Sequence, residues 1–126
     1  MIELEKISFR HENADVPSLK NVSLTIADGE CVLLCGESGS GKTTITRLIN
    51  GLIPHFYEGE LEGFAMVNGL NVTEAELYET AKLVGSVFQN PRSQFFCVDT
   101  TSELAFGCEN MGMPENEVHA RVDAAA

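Results

Sequence analysis

The first 26 residues alternate between apolar and polar positions, which is the pattern of half-buried β-strands. Residues 1–9 keep one apolar face, with a one-residue phase slip after Leu4. Residues 10–18 are polar and contain a proline, so they indicate a loop. Residues 19–26 alternate again, with room for a bulge at Asn21. We therefore expect the chain to open with an antiparallel pair of strands.

The next pattern is an apolar run, a glycine-rich stretch and a helical stripe, in that order. The run Cys31–Cys35 predicts a buried strand. The apolar residues beyond the glycines recur at helical spacing, at Ile45, Leu48, Ile49 and Leu52. Gly51 and Pro54 predict the end of that helix. A second apolar run, Leu83–Phe88, predicts another buried strand. Strands that alternate with helices favour an α/β fold.

The stretch between these two runs is predicted from its turn signals. Residues 54–63 are rich in Gly and Glu and are expected to form a loop. Residues 64–67 predict a short strand, which the Asn68-Gly69 pair closes with a tight turn. A capping box at Thr73–Glu76 predicts the start of a short helix.

The last third of the chain predicts two helices. A capping box at Thr100–Glu103 opens the first, which runs to about Met111. Helical spacing of apolar residues resumes after Pro114, a residue suited to a first helical turn. Asp99 and Glu103 form a pair of carboxylates, but their place at a helix start favours capping over acid–base chemistry.

The glycine-rich stretch carries the candidate chemistry. Residues Gly36 to Thr43 satisfy G-x-x-x-x-G-K-[ST], the phosphate-binding P-loop. A polyphosphate needs inward-pointing backbone N–H groups, and glycines allow that close approach and the positive φ angles of the turn. The following helix directs its free N–H groups and positive dipole end at the same phosphates. Lys42 would reach the β and γ phosphates, and the Thr43 hydroxyl would hold Mg²⁺.

Composition and net charge limit the kinds of partner that the chain is expected to bind. The chain has 126 residues, enough for one domain, with 44% hydrophobic and 21% charged residues. Its net charge of −11 argues against binding to nucleic acid or to anionic lipid. It has no run of membrane-spanning length and no signal-peptide plan at its start. We therefore expect a cytosolic protein that reaches a membrane only through a protein partner.

The four cysteines do not suggest a metal site. They stand at positions 31, 35, 97 and 108, without a C-x-x-C motif and without a histidine close in sequence. Zinc is therefore disfavoured. In a cytosolic chain we expect these cysteines to be small buried hydrophobic residues.

Gln89 follows the second apolar run and completes a recognisable set of motifs. These are GESGSGKTT at 36–44, Asn68-Gly69, VFQNPRSQFF at 87–96 and ELAFGCENMGMP at 103–114. Together they resemble the ATP-binding subunit of ABC transporters, and most of all the ATPases of energy-coupling-factor importers. The resemblance implies an α/β fold, with a P-loop NTPase core, N-terminal antiparallel β-strands and the start of a helical subdomain.

The resemblance extends over residues 1–126 but implies only the N-terminal portion of a nucleotide-binding domain. Residues 1–90 would form the P-loop core with its antiparallel strands, and residues 91–126 would begin the helical subdomain. The family also has a signature motif resembling LSGGQ, a Walker B strand ending in Asp-Glu and a switch histidine, and none occurs in this sequence. We therefore expect a truncated chain that binds ATP without turnover, whereas the full-length protein is expected to be an ATPase.

The resemblance also implies roles for individual residues, with ATP and Mg²⁺ as ligands. The residues that match the phosphate- and Mg²⁺-binding loop are Gly36, Gly39, Ser40, Gly41, Lys42, Thr43 and Thr44. Thr43 and Gln89 match the contacts to Mg²⁺. Lys42 and Gln89 match the family's catalytic positions. Gln89 also corresponds to the residue that contacts the attacking water. The family's adenine-stacking ring falls at His11, which is either a base-stacking residue or a solvated loop residue.

The partners follow from the same resemblance. They are a transmembrane transporter subunit and a second, identical or related, ATPase domain, with no nucleic acid and no direct lipid insertion. The expected location is cytoplasmic, on the inner face of the cell membrane. The apolar residues between 95 and 113 form either the core of a helical subdomain or a groove for a coupling helix of the membrane subunit.

Two alternatives stay open. One is a non-catalytic module that binds partners through residues 95–113, although the intact P-loop speaks against it. The other is a different P-loop enzyme, such as a small-molecule kinase or a GTPase. The strand pair before the P-loop and the VFQNP stretch disfavour this second alternative, and the sequence contains no guanine-selecting N-K-x-D motif.

Overall fold

The computed structural model describes all 126 residues, which form two compact units, Met1–Ser86 and Val87–Ala126. The first unit contains four strands and three helices. They are β1 (Ile2–His11), β2 (Leu19–Ile26), α1 (Lys42–Ile49), α2 (Leu52–His55), β3 (Gly59–Val67), β4 (Leu70–Asn71) and α3 (Leu77–Ala81). The second unit contains a 3₁₀ helix (Pro91–Gln94), α4 (Thr100–Asn110) and α5 (Glu115–Ala125).

The four strands form one antiparallel sheet in the order β2–β1–β3–β4. The predicted strand pair is confirmed, and so are its two irregularities. Register shifts lie at the phase slip, where Lys6 has φ +50°, and at Asn21, where φ is +49°. At each bulge a serine hydroxyl of the partner strand accepts the displaced N–H group. Lys6 donates to Ser23 (3.0 Å) and Asn21 donates to Ser8 (2.9 Å).

Strand β3 begins earlier than the sequence suggests. Residues 59–63 were expected to form a loop. They pair instead with the end of β1, and Gly59 lies opposite His11. The acidic residues of this stretch face solvent, and Arg10 forms an ion pair with Glu60 at 2.7 Å. Pairing with β1 therefore overrides the local preference for a loop. The predicted turn at Asn68-Gly69 is confirmed, with φ angles of +47° and +84°.

The core of the first unit packs α1 and α2 against one face of the sheet. Leu48 of α1 and Ile53 of α2 are both fully buried. Helix α1 ends at Ile49, and the predicted stop, Gly51, follows its C-cap with φ +82°. The buried core residues are Leu4, Ile7, Phe9, Leu19, Leu48, Ile53, Ala65, Val67 and Val72.

The two predicted buried strands, Cys31–Cys35 and Leu83–Phe88, are absent from the structure. Leu33 is 84% exposed and Val87 is 85% exposed. A buried parallel strand needs hydrogen-bonded neighbours, and the sheet of this chain contains only the four antiparallel strands. The apolar pattern alone is therefore not sufficient to form a strand.

The prediction of buried cysteines is also wrong. Cys31 and Cys35 are exposed, because the segment that contains them forms no strand. Cys97 and Cys108 are half-buried, and all four thiols are free. Partial burial, and then the neighbouring Glu103 carboxylate, raise the pKa of the Cys97 thiol above its ordinary value of 9.0.

Helix α3 begins one turn later than predicted. Its N-cap is Glu76, which forms a capping box with Glu79, whereas Thr73 was expected at the cap. The Thr73 hydroxyl instead donates to Oδ1 of Asn71 at 2.5 Å. That contact belongs to the turn after β4, so the Thr73 side chain is not available for the helix.

The second unit is built on α4 and α5, with Ala105 and Val118 buried. The N-cap of α4 is Asp99, one residue before the predicted box, and it accepts the Ser102 N–H at 2.8 Å. Glu103 accepts the N–H groups of Phe96 (3.0 Å) and Cys97 (2.8 Å). Capping is thus confirmed for Asp99, whereas Glu103 accepts two N–H groups of the loop that precedes the helix. Hydrogen bonds from Ser102 hold the pKa of Asp99 below its ordinary value of 3.8.

Candidate functional site

The glycine-rich loop before α1 has a backbone that only glycine accommodates at its last position. Gly41 is the N-cap of α1, with φ +97° and ψ 4°. A Cβ atom at this position would lie 2.8 Å from Cδ2 of Leu19 and 2.8 Å from the backbone oxygen of Ser18. The turn therefore needs glycine both for its left-handed conformation and for its close approach to Ser18 and Leu19 at the start of β2.

The N-terminus of α1 is open to an anion. Gly41 provides no capping side chain, and the first helical turn contains no acidic residue. The backbone N–H groups of Lys42, Thr43 and Thr44 donate to no acceptor in the chain. Free N–H groups and the positive end of the helix dipole together favour a phosphate at this position.

The Lys42 ammonium lies over the same loop. It donates to the backbone oxygens of Gly36 (2.7 Å) and Glu37 (2.6 Å) and to Oγ of Ser40 (3.2 Å). The Ser40 N–H donates to the Glu37 oxygen at 3.1 Å, which closes the turn. The positive charge is thus held at the loop, beside the open helix terminus.

Together these groups enclose a cavity of about 240 Å³. Its lining residues are Ser18, Ser38, Gly39, Gly41, Lys42, Thr43 and Thr44. Ser18 was not predicted, because it belongs to the loop between β1 and β2. It reaches the cavity through tertiary pairing, since its N–H donates to the Phe9 oxygen at 2.8 Å. No local sequence signal identifies it.

The donor set of the cavity fits Mg²⁺. The Thr43 side chain is exposed, and its hydroxyl makes no hydrogen bond within the chain, whereas the Thr43 backbone oxygen accepts from Thr46 at 2.8 Å. Mg²⁺ prefers oxygen ligands and is commonly held by few protein groups together with phosphate oxygens. The free Thr43 hydroxyl at this cavity can provide one such oxygen ligand.

His11 is the last residue of β1 and is half-buried. Its ring contacts Phe9 edge-to-face, with centroids 4.8 Å apart, and lies 6.4 Å from the Tyr57 ring. It also lines a second cavity, of about 500 Å³, in the first unit. The other lining residues are Glu12, Asn13, Ala14, Phe56, Tyr57 and Glu58.

Gln89 belongs to the second unit and is exposed, with no hydrogen bond to its side chain. The chain around it is ordered by local contacts. The Phe88 N–H donates to Oε1 of Gln94 at 3.1 Å, and the Ser93 hydroxyl donates to the Asn90 oxygen at 2.8 Å. The Gln89 amide is therefore available to a ligand.

None of the helices combines the length and the apolar composition needed to cross a lipid bilayer.

The second unit exposes several large apolar side chains. Phe95 is 66% exposed and Phe96 is 75% exposed, although the Phe96 ring stacks on Phe106 at 5.5 Å. Val98, Leu104 and Met111 are exposed as well.

The strand order and the loop define the class of protein, a P-loop protein in which antiparallel strands precede the phosphate-binding loop. Comparison with known families supports a narrower assignment. The ABC transporter family matches residues 19–125. The chain therefore belongs to the ABC transporter family, as the motifs in its sequence predicted.

Two relatives illustrate the match. An ABC transporter ATP-binding protein of Treponema denticola is 54% identical over 123 residues, which are 98% of this chain and 25% of that protein. One of Pyrococcus abyssi is 43% identical over 122 residues, which are 97% of this chain and 44% of the relative. The chain thus spans a quarter to less than half of the length of these relatives.

Solved structures confirm the predicted fold class. The structure of cbiO1 from Clostridium perfringens, described as part of the ABC transporter complex cbiONQ, superposes with a TM-score of 0.81 at 25% identity. The match includes 98% of this chain and 48% of the cbiO1 chain. The ATP-binding cassette MJ0796, solved with ADP and Pi, matches 97% of this chain with a TM-score of 0.71 at 24% identity, and this chain covers 54% of it.

Proposed function

We propose that this chain is the ATP-binding part of an importer ATPase of the energy-coupling-factor type. The observation that carries the proposal is the open N-terminus of α1. Its free N–H groups at Lys42, Thr43 and Thr44 border a cavity of about 240 Å³ beside the Lys42 ammonium. The likeness to cbiO1, part of the complex cbiONQ, supports the importer type.

The loop residues would bind the phosphates of ATP. The N–H groups of the loop and of the first helical turn that have no acceptor would donate to phosphate oxygens, and only glycine at position 41 permits the required turn. Lys42 would exchange its contacts with the Gly36 and Glu37 oxygens for the β and γ phosphates. Until the nucleotide binds, these two oxygens and Oγ of Ser40 hold the ammonium at the loop.

Thr43 is a proposed Mg²⁺ ligand, and Gln89 is proposed for the same role from its match to the family motif alone. Bound Mg²⁺ would neutralise the charge that develops on the phosphate oxygens during transfer. Gln89 would also orient the attacking water, a role it receives from its match to the family motif. The general base would be a Walker B glutamate, and this sequence has no such motif. We therefore propose that the 126 residues bind ATP without hydrolysing it, as the N-terminal portion of a domain whose helical part begins near residue 91.

The exposed apolar residues of the second unit are the proposed contact for a transmembrane transporter subunit. Phe95 and Phe96 would provide two large apolar side chains of this surface. A second ATPase domain, identical or related, would complete the nucleotide site. These contacts would hold the protein at the inner face of the cell membrane, without lipid insertion.

A non-catalytic partner-binding module is the second candidate, and the same exposed Phe95 and Phe96 favour it. The two candidates differ at the P-loop. An importer ATPase needs a Lys42 ammonium that binds phosphate, whereas a partner-binding module does not. Nucleotide binding therefore separates the two proposals.

Calorimetric titration with Mg·ATP tests the proposed function. We expect wild-type protein to bind and Lys42→Ala to lose most of its affinity, because charge-assisted hydrogen bonds to phosphate are lost. Lys82→Ala is the matched control, since Lys82 lies at 5.5 Å over the Tyr78 ring and not at the loop. Equal binding by wild type and Lys42→Ala, or no binding by either, would contradict the proposal.

A further inference from the structure

A row of side chains connects the helix of the P-loop with the cavity beside His11. Thr43 and Arg47 are one turn apart on α1 and therefore lie on the same face. The Arg47 guanidinium lies 4.0 Å from the centroid of the Tyr57 ring. Tyr57 in turn faces His11, with ring centroids 6.4 Å apart. The aromatic corner formed by His11 and Tyr57 is thus linked by Arg47 to the helix that begins at the phosphate cavity.

The two rings of the aromatic corner are nearly perpendicular, with an angle of 82° between their planes. They line one wall of the cavity of about 500 Å³ in the first unit. A planar base that enters this corner can lie face-on to one ring and edge-on to the other. Both arrangements are favourable for aromatic systems, because the edge of one ring is attracted by the face of the next.

The corner is held in place before any ligand binds. The Tyr57 N–H donates to the Leu52 oxygen at 3.0 Å, and the Glu12 N–H donates to the Glu58 oxygen at 3.2 Å. Arg10 donates through Nη1 to the Ala14 oxygen at 2.8 Å, which fixes the loop after β1. Preorganised walls lower the entropy cost of binding, so the corner suits a ligand that is rigid and flat.

We propose that Tyr57 is a second determinant of base binding, together with His11, and that Arg47 positions its ring. The ligand class is the base of a nucleoside triphosphate whose phosphates lie at the P-loop. The proposal rests on the proposed function, since it needs a nucleotide at that loop. It assigns to a residue after α2 a role that the motifs of the sequence do not indicate.

Comparison of two ligands isolates the contribution of the base. Mg·ATP carries a base, whereas Mg·tripolyphosphate does not. We expect Tyr57→Ala to weaken ATP binding by about two- to tenfold, the range for one aromatic contact, and to leave tripolyphosphate binding unchanged. Tyr57→Phe keeps the ring and should retain wild-type affinity. Arg47→Lys keeps the charge but loses planar stacking, and we expect a smaller loss that is again specific to ATP.

Tyr78→Ala is the matched control, because Tyr78 is an exposed tyrosine that also has a cation over its ring. It should change neither affinity. Equal effects of Tyr57→Ala on both ligands, or no effect on either, would overturn the role of Tyr57 and leave the proposed function intact. If wild-type protein binds neither ATP nor tripolyphosphate, the proposed function is overturned, and the role of Tyr57 with it.

A second measurement does not depend on removing a ring from the corner. The chain has no tryptophan and two tyrosines, so Tyr78→Phe leaves Tyr57 as its only tyrosine. We expect Mg·ATP to change the Tyr57 emission of this variant, and Mg·tripolyphosphate to leave it constant. An identical response to the two ligands, or none to ATP at saturation, would contradict a base at the aromatic corner.

Discussion

Replacement of Gly41 by alanine is the sharpest test of the loop geometry. Gly41 has φ +97°, a conformation that costs an L-residue about 1–2 kcal/mol. The added Cβ would also lie 2.8 Å from the Ser18 backbone oxygen and 2.8 Å from Cδ2 of Leu19. A backbone atom cannot turn aside as the end of a side chain can, so we expect a further cost of about 1–3 kcal/mol, as for overpacking elsewhere.

Gly39→Ala provides the matched control for this substitution. Gly39 has φ +81° and would place its Cβ in open space. Both variants share the conformational cost and the lower entropy of the unfolded chain, so these contributions cancel in the comparison. The difference between them, about 1–3 kcal/mol in the free energy of unfolding, isolates the contact of Gly41 with Ser18 and Leu19.

Urea unfolding followed by circular dichroism measures this difference. With a slope of about 2 kcal/mol per molar urea, the midpoint of Gly41→Ala should lie about 0.5–1.5 M below that of Gly39→Ala. The slopes of the two variants should agree. Equal midpoints would refute the reasoning, because they would show that a Cβ atom at position 41 does not collide with Ser18 and Leu19.

Two further predictions concern the core and the cap of α4. Leu48→Ala, at a fully buried position, should destabilise the chain by about 2–5 kcal/mol. In the same unfolding assay, Leu33→Ala should cost less than about 0.5 kcal/mol, because Leu33 is 84% exposed. Similar values for the two variants would contradict the assigned core. The carboxyl of Asp99, observed by NMR, should titrate below pH 3.8. Its ionised form therefore stabilises α4 above that pH, and this contribution is lost as the pH falls through the folded pKa. Asp99→Asn keeps an acceptor for Ser102 and should remove this pH dependence, and a midpoint at or above 3.8 would be inconsistent with the hydrogen bonds at the cap.

The conformation of the glycine-rich loop is the part of the structure that the sequence predicts best. Its glycine conformations and its helix start depend on consecutive residues, from Gly36 to Thr44, so a local motif contains the needed information. The strand pair β1–β2 is predicted for the same reason, since alternation and a phase slip at residue 6 are visible in the chain itself.

The features that the sequence did not predict depend on distant partners. Strand β3 extends back to Gly59 because β1 pairs with it, and Ser18 lines the cavity at the glycine-rich loop because it pairs with Phe9. Tyr57 lies beside His11 only through the packing of the segment after α2. The predicted strand at residues 31–35 fails for the converse reason, since an apolar run without a neighbouring strand has no ladder to join.

Backbone amide NMR during titration with Mg·ATP tests the central claim most directly, that the open N-terminus of α1 binds phosphate. We predict that the amide signals of Gly39, Gly41, Lys42, Thr43 and Thr44 shift together and saturate with one affinity, because their N–H groups acquire acceptors that the chain itself does not provide. Saturable binding that leaves these amides unchanged and shifts others would contradict the account.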